Sequence, residues 1–200
     1  MSRVKLFLDL DRTLFNTGLF GELRLDVLRQ SFPSIDIFTE RLRQQDFYIR
    51  NGGMYYYDFT EHMKSLGLSA VEVYRLLEKS IIADGKLEFE GVKELVNWAK
   101  ANTELKILTY GKDDYQKLKA ALCPSLRGVD IVATQRPKKE FFHEEKFEGE
   151  VWMVDDKAID GLPENVNFIQ VSLEGAEFEP SPRWHQVKSL NEVLNILQKT

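Results

Sequence analysis

The chain of 200 residues holds one cysteine, Cys123, so no disulfide can close within it. Its three histidines, His62, His143 and His185, form no cluster of the kind a zinc site needs. Basic residues are not in excess: 27 Lys and Arg against 32 Asp and Glu give a net charge of −5, which argues against a nucleic-acid partner. Long apolar runs are missing too. The longest near the N-terminus, Val4 to Leu10, is interrupted by Lys5 and Asp9, is too short to span a membrane and lacks a cleavage signature. There is no internal repeat and no low-complexity tract. What remains is a chain with 43% apolar residues, enough to bury a core without disulfides or structural metal. The expectation is a soluble cytoplasmic protein, most simply a monomer, acting on a small molecule.

Five short apolar segments read as strands: Val4–Leu10, Leu105–Tyr110, Val129–Thr134, Val151–Val154 and Val166–Val171. Helical patterns lie between most of them. Val92, Leu95, Val96 and Ala99 share one face over Glu90 to Asn102. Lys112 to Leu122 and Pro137 to Lys146 follow the second and third strands, and the capping box Ser189-Leu-Asn-Glu192 opens a final helix. This alternation predicts an α/β fold, a Rossmann-like three-layer core with a mostly parallel sheet. One block breaks it. Residues 15 to about 86 carry helical patterns only: Phe20–Phe32, Ile37–Ile49, Tyr57–Leu66 and a helix from Ser69 to Ala83, opened by Ser69-Ala-Val-Glu72. The predicted organisation is a core of residues 1–15 and 87–200 with an all-helical insertion at 16–86. Leu173 to Val187, with Pro180 and Pro182, reads as a long surface loop.

Ligands of a parallel sheet bind beyond the carboxyl ends of its strands. At the first end stands Asp9-Leu-Asp11-Arg-Thr13-Leu, at the second Thr109, just past the third Arg136, Lys138 and Lys139, and at the fourth Asp155-Asp156, with Asp160 four residues later. Residues two apart on an extended strand project to the same side, so Asp9 and Asp11 belong together. Facing Asp155 and Asp156, they require a neutralising cation, and a hard divalent ion with oxygen ligands, Mg²⁺, suits them. Thr109 supplies a hydroxyl donor and a lysine a point charge for phosphate oxygens, which together suit phosphoryl transfer. Any one of these residues alone is an ordinary turn or cap residue; the joint pattern is what carries the reading.

The pattern resembles the haloacid dehalogenase-like hydrolase superfamily, through Phe7-Leu-Asp9-Leu-Asp11-Arg-Thr13-Leu14, Thr109, and Val154-Asp155-Asp156 with Asp160. The likeness covers roughly residues 1–15 and 87–175, and the inserted block is similar to that family's cap domain. The resemblance implies that Asp9 is the nucleophile and forms an aspartyl-phosphate, and that Asp11 protonates the leaving alcohol and then activates water. It implies Mg²⁺ held by Asp9, the backbone carbonyl of Asp11 and Asp156, with Asp155 and Asp160 in support and Thr13 beside them. Thr109 and a lysine would bind the phosphoryl oxygens. That lysine is Lys139 or Lys138, with Arg136 in reserve, because the family's usual Lys-Pro is here Arg136-Pro137. Arg12 stands where the family usually has glycine and either points to solvent, the favoured reading, or reaches an anionic substrate. Asp at position 11 is typical of phosphatases and phosphomutases within that family, which makes phosphomonoester hydrolysis the leading expectation.

A phosphomutase on the same site is the alternative, and a silent phosphate-binding protein a weaker one. A phospho-receiver domain is disfavoured by the order of its parts, since here the lysine precedes Asp155-Asp156. A phosphonate-cleaving activity would need a Schiff-base lysine from the insertion, and Lys64 and Lys79 read as exposed helix residues. Substrate choice is expected from the insertion, whose stretch Tyr48-Ile-Arg50-Asn-Gly52-Gly53-Met-Tyr55-Tyr56-Tyr57 either lines a pocket for a ring or a second anion or packs the insertion's own core. The substrate is expected to be a small phosphorylated metabolite. Trp152 reads as core.

Overall fold

A strand with no polar side is stable only where both its faces are covered. Such a strand opens the chain: in the computed structural model, which describes residues 3–51, 54–173 and 184–199, Leu6, Phe7 and Leu8 of β1 (Lys5–Leu8) are almost fully buried. There follow α1 (Thr17–Ser31), α2 (Ile37–Arg43), a 3₁₀ turn at Gln44–Phe47, β2 (Tyr48–Asn51), β3 (Met54–Tyr57), α3 (Phe59–Ser65) and α4 (Ala70–Ser80). The alternating part then runs α5 (Val92–Asn102), β4 (Glu104–Tyr110), α6 (Asp113–Ala121), β5 (Asp130–Thr134), α7 (Lys138–Glu145), β6 (Val151–Asp155), β7 (Val166–Val171), β8 (Trp184–Val187) and α8 (Leu190–Leu197).

Six strands form one sheet in the order β5-β4-β1-β6-β7-β8, and every pairing in it is parallel. The chain leaves β1 toward β4 and β5, then crosses back to β6 on the other side, so the order reverses at β1. The alternation of side chains along β1 divides the core. Leu6 and Leu8 join Val92, Leu95, Leu118, Leu190 and Val193 on the face covered by α5, α6 and α8. Phe7 joins Met153, Phe168 and Phe142 on the face covered by α7. This is the expected three-layer α/β/α core. Phe20, Leu28, Phe59 and Met63 of the insertion belong to the first of these clusters. Among the described residues no helix is long and apolar enough to cross a membrane.

Both serines cap their helices: Ser69 accepts from the Glu72 N–H and Ser189 from the Glu192 N–H. Pro137 stands one residue outside its helix, at the cap. Two expectations fail. The insertion is not all-helical: α2 stops at Arg43, and β2 and β3 pair antiparallel, Tyr48 opposite Tyr57 and Asn51 opposite Met54. Aromatic and β-branched residues at 48–57 favour strand over a continued helix once each has a partner across the ribbon. The Gly52-Gly53 turn itself lies outside the described residues. The second failure is the loop expected over 173–187, of which Trp184–Val187 is a strand parallel to β7. An edge strand needs no continuous apolar run, and Trp-His-Gln-Val offers none. Pro180 and Pro182 lie outside the described residues.

Phe142 packs edge-on against Phe7, with ring centroids 5.2 Å apart, and fixes α7 to the sheet. Phe142→Ala is expected to lower unfolding free energy by about 3–5 kcal/mol, measured by denaturant titration. A loss under about 1 kcal/mol would mean that α7 is anchored by something else.

Candidate active site

The parallel register sets two acids side by side. Leu8 pairs with Val154, and the Asp9 N–H donates to the Val154 carbonyl at 2.8 Å, so Asp9 and Asp155 leave adjacent strands together. Carboxylate oxygens of Asp9, Asp155 and Asp156 lie within 4.8 Å of one another. Lys138, the first residue of α7, is buried between two of them, its Nζ bound to Asp9 Oδ1 and, at 2.6 Å, to Asp155 Oδ2. Thr13 Oγ1 donates to Asp9 Oδ2 at 3.3 Å, the Lys157 N–H donates to Asp155 Oδ1 at 2.9 Å, and Gln170 Nε2 holds the Asp156 carbonyl at 3.1 Å. Asp9 and Asp155 are thereby each held by Lys138 and by a residue that follows them closely in sequence, and Asp156 is held through its backbone by β7.

Of the three cations left open by the sequence, Lys138 is the one among the carboxylates. Lys139 is exposed at the rim of the same cavity, and Arg136 is exposed and paired with Glu144 at 2.7 Å. Asp160 also lines the cavity but is exposed and outside the acid cluster. Thr109 is fully buried at the end of β4, and its Oγ1 has no hydrogen-bond partner. A buried hydroxyl left unpaired costs free energy that an arriving acceptor would recover.

Asp11 takes a different direction from Asp9. Lys119 Nζ binds both its carboxylate oxygens at 2.7 Å, Thr17 Oγ1 donates at 2.7 Å and Gln116 Nε2 at 3.2 Å. Gln116 also donates to the Tyr110 carbonyl at 2.7 Å, across Gly111, where a Cβ would lie 2.5 Å from the amide nitrogen. Sequence reading missed Lys119, Gln116 and Thr17. One signal was available: Lys119 falls on the inward stripe of α6 with Tyr115, Leu118 and Leu122, where an unpaired charge has no place. Arg12, the residue after Asp11, has φ of +63°, a left-handed conformation that costs a non-glycine residue roughly 1–2 kcal/mol and that glycine adopts freely. Its side chain is exposed and also lines the cavity, so both readings of it stand.

No family model matches the sequence, and neither does any curated protein. Solved structures do match. A haloacid dehalogenase-like hydrolase from Burkholderia xenovorans LB400 superposes with a TM-score of 0.70 at 15% identity, over 98% of both chains. The HAD-hydrolase YfnB from Bacillus subtilis, bound to magnesium, gives 0.61 at 20% identity over 98% of this chain and 99% of its own. A HAD family hydrolase from Deinococcus radiodurans R1, with bound phosphate and sodium, gives 0.52 at 13% over 98% and 95%. The chain has the haloacid dehalogenase-like fold.

Within that fold the electrostatics of the acid cluster are demanding. Three carboxylates face one ammonium. Burial, resisted by Lys138 but reinforced by Asp155, Asp156 and Asp11, pushes the Asp9 carboxyl up to about 8. Burial and the charge of Asp155 push Asp156 up to about 7. Burial works against the Lys138 ammonium, yet Asp155 and Asp9 more than offset it and hold its proton more tightly than usual. Burial would raise Asp11 as well, but Lys119, Thr17 and Gln116 outweigh it and hold that carboxyl below its ordinary range. A hard divalent cation with oxygen ligands fits the cluster of Asp9, Asp155 and Asp156, since its charge would take the place of the protons that Asp9 and Asp156 otherwise retain.

A cavity of about 590 Å³ lies over these residues and is roofed by the insertion. The β2–β3 ribbon touches residues next to three strand ends. Tyr56 Oη donates to Gln135 Oε1 at 3.0 Å and its ring meets Tyr110 at 5.7 Å, while Lys157 Nζ sits 5.1 Å from the Tyr55 ring. Lys112 pairs with Asp58 at 2.7 Å beside them. Both readings of the aromatic stretch hold in part. Tyr48, Tyr55 and Tyr56 line the cavity, whereas Tyr57 is buried against Phe59 and Tyr115 as well as lining it. Arg50 is exposed and off the lining; the arginine that the insertion places deep in the wall is Arg24. His62 is buried in the insertion against Glu40 and Tyr57, and Trp152 is core.

Because the folded state raises proton affinity at Asp9 and Asp156, the metal-free protein is expected to lose stability as pH rises from about 4, the unfolded range, through 7 and 8. Mg²⁺ is expected to bind more tightly at pH 8 than at pH 6 and to release protons at pH 6, read by calorimetry in buffers of different ionisation enthalpy. Binding that is weaker at pH 8 would contradict the charge balance described.

Proposed function

We propose that the protein is a Mg²⁺-dependent phosphomonoester hydrolase of the cytoplasm that works through an aspartyl-phosphate on Asp9. The observation that carries this is the pairing of a lysine-bridged carboxylate, Asp9 with Lys138, and an unpartnered buried hydroxyl, Thr109 Oγ1, on one cavity. Asp9, Asp155, Asp156 and the Asp11 carbonyl would hold Mg²⁺, which when bound neutralises charge on a transferring phosphoryl group. Thr109 and Lys138 would grip the phosphoryl oxygens.

An Asp9 oxygen attacks phosphorus as the bond to the leaving oxygen breaks, and Asp11 gives that oxygen its proton. In the second half Asp11 removes a proton from water, the water oxygen attacks phosphorus, and inorganic phosphate leaves with Asp9 restored. Asp11 must be protonated for the first half, and its bond to Lys119 opposes this. An arriving phosphate dianion draws on Lys119 and repels negative charge on Asp11, so substrate itself raises the proton affinity of the acid. Lys119 is on this account a positioning residue that tunes Asp11. The substrate is a small phosphorylated metabolite enclosed by the insertion, which serves as a cap over the core.

Turnover of a generic aryl phosphate with Mg²⁺, followed by phosphate release over time, tests the proposal and separates hydrolysis from phosphoryl transfer to a sugar. Asp9→Asn is expected to lower kcat by about a thousandfold or more; a folded protein that binds Mg²⁺ and turns over nothing would sink it. Lys119→Met is expected to move the alkaline limb of kcat/KM to higher pH, because Asp11 then keeps its proton longer. An unmoved limb would detach Lys119 from the chemistry.

A further inference from the structure

Arg24 is 3% exposed and lines the same cavity as Asp9. Its partners are all neutral. Nη1 donates to Tyr115 Oη and Nη2 to Gln44 Oε1, both at 2.8 Å, and the guanidinium lies 4.8 Å from the Tyr57 ring and 5.9 Å from the Phe59 ring. Nε is buried and has no hydrogen-bond partner among the described residues. Among the described residues no carboxylate forms an ion pair with it, although every other buried cation in the wall, Lys138 and Lys119, has one. Hydrogen bonds and rings satisfy part of the fork but supply no counter-charge, and a buried charge without one is costly.

The helix that carries Arg24 also measures the distance. Thr17, whose hydroxyl holds Asp11, and Arg24 are seven residues apart on α1 and so share a face, about 10 Å apart along the axis. Between them the cavity is lined by Gly18 and Gly21, and a Cβ built on Gly21 would meet nothing within 4 Å. The two glycines leave open space on α1 between the Asp11 site and a guanidinium that has no counter-charge. The planar fork of an arginine suits a carboxylate or a phosphate.

We infer that Arg24 binds a second anionic group of the substrate, so that the preferred substrates are phosphomonoesters bearing a carboxylate or a further phosphate at the end remote from the transferred one. This rests on the hydrolase reading for the position of the first phosphate. It names a specificity site in the insertion separate from the groups that handle the phosphoryl transfer.

The test uses Asp9→Asn protein with Mg²⁺, in which binding is measured without turnover. Calorimetry compares three alkyl phosphates of equal length ending in a methyl, a carboxylate or a second phosphate. At least one anionic end is expected to bind about tenfold or more tighter than the methyl end, and which one does so tells carboxylate from phosphate. Arg24→Gln in the same background is expected to bring that ratio below about twofold. Gly21→Leu, which the open space admits and a helix favours, is expected to weaken the long dianions more than inorganic phosphate. Equal affinity for all three ends overturns the inference whatever Arg24→Gln does to folding, and so does a preference that survives in Arg24→Gln. Turnover of aryl phosphate by the unmodified protein with no preference for a second anion would remove this inference alone. A preference without turnover of any phosphomonoester would remove the hydrolase reading and leave the anion site.

Discussion

Lys138 lies between Asp9 and Asp155, and much of the molecule serves to keep it there. Parallel pairing of β1 with β6 brings the two carboxylates to adjacent strand ends, where like charges in a low dielectric would force one to take a proton. The ammonium that relieves them comes from the first residue of α7, and α7 is held to the sheet by Phe142 against Phe7, two residues before Asp9. Asp9 and the ring that packs α7 are therefore two residues apart in sequence, and the counter-charge comes from the helix which that ring holds. Relief is incomplete, since Asp9 and Asp156 still hold protons more tightly than an exposed carboxyl, and that remainder is what makes the cluster a site for a cation.

Much of this was legible in the sequence because strand ends in a parallel sheet are fixed by two local facts: where an apolar run stops and which polar residue stops it. Asp9, Thr109 and Asp155-Asp156 satisfied both, and the structure brings them to one cavity. The choice among Arg136, Lys138 and Lys139 was not legible, because at a helix start a shift of one residue turns a side chain by about 100°, and only packing settles which one faces in. The ribbon at 48–57 was hidden within a block read as helical, since its strands pair only with each other, and β8 was missed because an edge strand is defined by its neighbour rather than by its own hydrophobicity. Lys119 and Arg24 were hidden for a related reason. Each is a charge among apolar residues of its helix, and its role depends on a group far away in sequence.

Asp9 and Asp11, two residues apart, have opposite electrostatic surroundings. The first is crowded by other acids and holds its proton more tightly, the second is ringed by Lys119, Thr17 and Gln116 and lets it go. The contrast comes from what each side chain meets: Asp9 faces Asp155 and Asp156 at the strand ends, whereas Asp11 reaches toward Lys119 and Gln116 of α6. Two like side chains are thereby given unlike chemistry by their surroundings.

The roof of the cavity is attached unevenly. Phe20, Phe59 and Tyr57 of the insertion pack against Tyr115 of the core in one continuous apolar cluster, whereas Tyr55 and Tyr56, further along the ribbon, meet the core among the described residues through one hydrogen bond at the surface, one pair of rings and one cation over a ring. Contacts of these kinds are worth about 1 kcal/mol each. The part of the roof over Gln135 and Lys157 is therefore held by far less than the part that rests on Tyr115.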